Sequence, residues 1–173
     1  MSTNGNIILK VRREDIGTHK TFSQDNFPID INGKEKCDLG GWGLSNTLDK
    51  LKSDEGVDIE HEYLSVYLNF SRIHDNMDET LVKVWNTYES VLNMILGGDI
   101  SSITTTRVTN YANRRENCTW KHIQPKQGES MEEVSKTWRS YYTYYFDGEQ
   151  WWYCENKDFD NMKLLSEYTK PER

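Results

Sequence analysis

A chain of 173 residues is the size of one domain, long enough to bury roughly 70% of its unfolded surface without disulfide or metal staples. With 35% hydrophobic and 28% charged residues and a mean hydropathy of -0.85 the chain is polar, yet six Trp, ten Tyr and five Phe exclude a solvated coil. A net charge of -7 argues against generic binding to nucleic acid or to an anionic membrane, both of which draw on a positive field.

The opening residues lack an apolar leader, and no apolar run approaches the roughly 20 residues of a membrane span. Cys37, Cys118 and Cys154 are widely spaced and form no zinc motif. An odd number without a leader reads as free thiols in a reducing compartment, so a cytoplasmic location is expected. No cofactor motif is present.

Residues 6–13 read as a first strand, because Ile7, Ile8, Leu9 and Val11 supply apolar and β-branched side chains. Residues 17–38 are irregular, with a short strand around Ile29 and Ile31. Gly40, Gly41, Trp42 and Gly43 form a bend, matching neither a Walker A loop nor a dinucleotide fingerprint. Ser45 can cap a short helix carrying Leu48 and Leu51.

Residues 59–70 alternate strictly. Leu64, Val66 and Leu68 share one face, and Ser65, Tyr67 and Asn69 share the other, which predicts a half-buried strand. Residues 75–96 step by three and four through Met77, Leu81, Trp85, Tyr88, Leu92 and Leu96, predicting one long amphipathic helix stopped by Gly97 and Gly98.

Two strands are expected next, at 101–111 and 117–124, then a loop at 125–130. Ser130 and Glu133 have capping-box spacing and open a short helix. Asp147 and Gly148 between two aromatic runs predict a hairpin of 141–146 with 151–155. Asp158 is positioned to cap a last helix bearing Phe159, Met162, Leu165 and Tyr168. The expected fold is therefore a single α+β domain over residues 1–173. It consists of a mostly antiparallel, twisted sheet with the 75–96 helix across it and shorter helices, including a C-terminal one.

The aromatic hairpin holds more ring surface than one sheet face can hide. The ribbon carries aromatics on both faces, and Tyr142, Tyr144, Trp151 and Tyr153 are the expected contact residues for a macromolecular partner. A second candidate is a local charge reversal. Between residues 101 and 128, Arg107, Arg114, Arg115, Lys121 and Lys126 face a single acid, Glu116. Arg107, Arg114 and Arg115 with Trp120, and Tyr111 and Lys121 nearby, could hold a nucleotide or another small anion.

His61, Glu62 and His122 would make an acid–base group only if their strands were neighbours. His19 and His74 join no pattern. Asp75, Asp78, Glu79, Asp158 and Asp160 are explained as helix-capping acids rather than metal ligands. The expectation is a non-enzymatic cytosolic binding protein, inhibiting or sequestering a macromolecular partner, a protein first of all, through its aromatic hairpin. An anion-binding protein or small hydrolase built on the basic segment, or a homodimer through the hairpin, are the alternatives.

Overall fold

The computed structural model describes residues 4–22, 30–31, 56–69, 76–105, 107–110 and 120–169. The expected bend at Gly40–Gly43 and the helix capped by Ser45 lie outside the described residues. Among the described residues, no helix is long and apolar enough to cross a membrane.

The N-terminal strand β1 (Gly5–Lys10) is central. It pairs antiparallel with β5 (Tyr63–Leu68) and parallel with β9 (Tyr142–Phe146), so Ile8 stands between Ser65 and Tyr145. The predicted hairpin joins β9 to β10 (Trp151–Glu155), and β11 (Lys163–Leu164) adds the outermost strand on that side. Beyond β5 come β6 (Ile100–Ile103), β7 (Arg107–Asn110) and β3 (Asp30–Ile31). β8 (Lys126–Gly128) pairs with the start of β5, in what was expected to be loop. A separate pair is formed by β2 (His19–Lys20) and β4 (Val57–Asp58).

The sheet is mixed rather than mostly antiparallel, since β1 with β9, β5 with β6 and β3 with β7 run parallel. Chain-order neighbours suggest hairpins, but the first strand inserts between strands far away in sequence, and that choice is made by tertiary pairing. The expected strand over 101–111 is divided between β6 and β7, and the expected strand over 117–124 contains a short helix instead.

Four helices are described: α1 (Met77–Lys83), α2 (Tyr88–Leu96), α3 (Trp120–Ile123) and α4 (Met131–Ser135). The single 75–96 helix is thus corrected to α1 and α2. The apolar stripe runs through both, but Thr87 restarts the helix. Its side chain accepts the Ser90 N–H, and its own N–H donates to the Ser90 hydroxyl. Trp85 lies in the break, fully buried, and its carbonyl accepts the Trp151 indole N–H at 2.7 Å. α4 opens as expected, with Ser130 accepting the Glu133 N–H.

The expected C-terminal α-helix is also replaced. Two 3-10 turns, Phe159–Asn161 and Leu165–Glu167, flank β11. Apolar residues three apart fit a 3-10 turn as well as an α-helix. Pairing of Leu164 with Trp152 draws the intervening backbone into the sheet.

Gly97 and Gly98 end α2 as expected, and Gly98 takes φ +86. A Cβ there would lie 2.7 Å from the Ile123 carbonyl and from the Trp120 ring. Gly98→Ala is therefore expected to cost about 2 kcal/mol or more, from the left-handed backbone and the overpacking together. Urea unfolding would show this as a lower midpoint with an unchanged slope.

One face of the sheet carries the main core. Ile7, Leu9, Leu64, Val66, Leu68, Tyr144 and Phe146 lie there beneath α2, α1 and the Leu165 turn. The opposite face is covered at one end by α4. There Asn6, fully buried, donates to Ser65 and Ser135 and accepts from Thr143, tying β1, β5, β9 and α4 into one polar cluster.

Candidate functional site

The four rings expected to meet a partner do not face water. Tyr142 is 6% exposed, Tyr144 0%, Trp151 3% and Tyr153 8%. Side-chain alternation places them on one face, and that face is the main core. Tyr142 stacks on Tyr144 with centroids 6.2 Å apart, Trp151 packs on Phe146 at 5.1 Å, and Tyr153 meets the edge of Tyr168 at 5.9 Å. The expected exposure of this set is corrected: the half of the hairpin that faces outward is the other half.

That other half forms a strip across the opposite face. In the ladder, Ile8 is level with Tyr145, Tyr145 with Trp152, and Trp152 with Leu164. Tyr63 stands at the next level, opposite Lys10, with its ring centroid 6.3 Å from that of Tyr145. Tyr63, Tyr145, Trp152 and Leu164 are all half-buried, each keeping part of its surface in solvent. Burial pushes the Tyr145 hydroxyl pKa well above its ordinary value, and the nearby Tyr63 adds to the effect.

Asp147 fixes the end of this strip. One carboxylate oxygen accepts the Trp152 indole N–H at 2.9 Å, and the other accepts the Glu149 and Gln150 N–H groups at 2.8 Å each. Partial burial works to raise the Asp147 pKa, but donation from Gln150, Trp152 and Glu149 outweighs it and holds the carboxyl below its ordinary value. The turn thereby sets the indole plane and a negative charge side by side. Glu62 supplies another carboxylate, 3.6 Å from the Lys10 ammonium.

A cleft of about 450 Å³ adjoins the strip, lined by Lys10, Val11, Arg13, Ile16, Glu60, His61, Glu62 and Glu129. Ile16, 37% exposed, is an apolar side chain on its wall. The Gln127 side chain holds the cleft's far wall in the manner of an extra strand. It accepts the Glu60 and His61 N–H groups at 2.7 and 3.2 Å, and donates to the Asp58 carbonyl at 2.7 Å. The His61 ring lies 2.7 Å from Glu129, and this hydrogen bond, reinforced by the charges of Glu129, Glu133 and Glu60, raises the imidazole pKa.

The structure does not assemble the histidine group. His61 is engaged by Glu129, while His122 sits on the exposed side of α3, where a strand was expected. His19 meets Asp58 at 2.6 Å. His74 and Asp75 lie outside the described residues. Asp78 and Glu79 stand in the first turn of α1, and Asp158 accepts from the Asn161 amide within a turn. Among the described residues, no group of three or more His, Cys, Asp or Glu could hold a metal ion.

Of the basic set, Arg114, Arg115 and Tyr111 lie outside the described residues, and Arg107 is placed only as a β7 residue opposite Asp30. Trp120 lies over Gly98 and packs against the core. No protein-family model, curated protein or solved structure matches this chain.

Proposed function

We propose that the protein is a non-enzymatic binding protein that engages a protein partner through the strip of Tyr63, Tyr145, Trp152 and Leu164, inhibiting or sequestering that partner. The observation that carries this reading is the position of these half-buried side chains on one sheet face, with Tyr145, Trp152 and Leu164 in register on three adjacent strands and Tyr63 one level away. Aromatic side chains supply large contact area at low entropic cost, and rings held by a sheet lose little more on binding. The cytosolic setting belongs to the same proposal. Cys154, the free cysteine among the described residues, is buried, and burial pushes its thiol up to about 11.

The test is affinity capture from host lysate with the wild type and with a Tyr63→Ser/Tyr145→Ser variant. Circular dichroism first establishes that the variant is folded. The expected result is a protein retained by the wild type and lost by the variant. Equal capture by both, or no specific capture by the wild type, overturns the reading.

A further inference from the structure

Resting on that reading, we propose that the strip receives a cationic, arginine-bearing segment of the partner, with a guanidinium laid against Tyr145 and Tyr63 and paired to the carboxylates beside them. A guanidinium is planar and weakly hydrated, stacks on aromatic faces and bonds carboxylates in a forked geometry. A complementary surface therefore needs accessible ring faces with carboxylates at their margin. Glu62 stands next in sequence to Tyr63, and Asp147 is bonded to Trp152.

Charge complementarity selects the sign of the occupant. Among the described residues that line the cleft, Glu60, Glu62 and Glu129 stand with Lys10, Arg13 and His61, and Asp147 adds a carboxylate at the strip itself, where Lys163 is the cation next in sequence to Leu164. Lys10 is already drawn to Glu62. His61, bonded to Glu129 at 2.7 Å, lies among these same carboxylates. The whole chain, at -7, adds a long-range attraction of the same sign.

The protein contains a small version of the arrangement elsewhere. The Arg12 guanidinium carbon sits 4.0 Å above the Tyr88 ring, while one of its nitrogens bonds Glu89 at 3.2 Å. The fold thus already seats an arginine between a tyrosine face and a glutamate. Tyr145 with Glu62 and Asp147 offers similar components to an arginine from outside.

The experiment titrates the full chain with oligoarginine, oligolysine and oligoglutamate peptides of equal length at one ionic strength, following backbone and indole resonances by NMR. The expected result is a saturable shift at Tyr63, Tyr145 and the Trp152 indole, with oligoarginine about fivefold or more tighter than oligolysine because only the guanidinium stacks well. Tyr145→Leu should abolish the arginine preference while leaving electrostatic attraction. Glu62→Gln should weaken both cationic peptides.

Equal affinity for the two cations with shifts scattered over the acidic surface, no saturable binding, or a preference for oligoglutamate overturns the proposal. So does self-association of the chain through these residues. Competition separates this inference from the broader reading: a partner captured through the strip but not displaced by oligoarginine defeats the cationic occupant and leaves the binding role standing.

Discussion

Replacing Tyr144 and Trp151 together with alanine is expected to unfold the protein rather than to produce a folded, non-binding variant. Tyr144 is fully buried, and Trp151 is buried with its indole N–H bonded to the Trp85 carbonyl in the break between α1 and α2. Truncating one buried large aromatic costs about 3–5 kcal/mol, and domains of this size are stable by only about 5–15 kcal/mol. Trp151→Ala also leaves the Trp85 carbonyl without that donor. Loss of near-ultraviolet dichroism and of a cooperative denaturant transition would register the result. A wild-type midpoint would show that these rings do not pack the core. By contrast, Tyr145→Ser removes a half-buried ring and is expected to retain a cooperative transition.

The contrast between these residues shows where sequence reading stops. Alternation correctly separates Tyr142, Tyr144, Trp151 and Tyr153 from Tyr145 and Trp152, because side-chain direction is a local property of an extended backbone. Which set is covered depends on the sheet neighbours, and β9 lies beside β1, more than a hundred residues earlier. A cue did exist in β1 itself. Ile7 and Leu9 are apolar, whereas Asn6 and Lys10, which flank Ile8 on the other face, are polar, and in the observed register Asn6 aligns with Thr143. Without the register, that cue could not be transferred to the hairpin.

The helix break had a similar origin. The stripe from Met77 to Leu96 is continuous, so periodicity alone joins α1 to α2, while the Thr87–Ser90 capping box that divides them is a three-residue signal. The hairpin, β1, β5 and the Ser130 cap were legible because each rests on neighbours in sequence. The parallel pairings, the Gln127 clamp and the cleft were not, since each joins residues brought together only by the sheet.

Asp99 provides the largest expected dependence on pH. It is 8% exposed and accepts the Tyr67 N–H at 2.9 Å, at the junction between the end of α2 and β6. Burial pushes its carboxyl up to about 7, against the opposing effects of the Tyr67 N–H and the Lys126 charge. In the unfolded chain the same carboxyl titrates near 3.8. Between those values the folded protein holds a proton that the unfolded chain releases, so stability falls as pH rises from about 4 to about 7 and then levels. The shift corresponds to no more than about 4 kcal/mol, at about 1.4 kcal/mol for each pKa unit.

His61 changes stability in the same direction, because a raised imidazole pKa contributes fully below about 6.5 and is lost as pH rises through the folded value. The two are separated by Asp99→Asn, which keeps an oxygen acceptor for Tyr67 and removes the charge while leaving His61 untouched. The variant's advantage over the wild type, absent only below about pH 4, should be larger at pH 8 than at pH 5 by about 1–3 kcal/mol, with the growth complete by about pH 7. Urea midpoints of both proteins at the two pH values measure this directly. A stability difference identical at both would mean that Asp99 does not titrate between them, and its burial beside Tyr67 would then need another account.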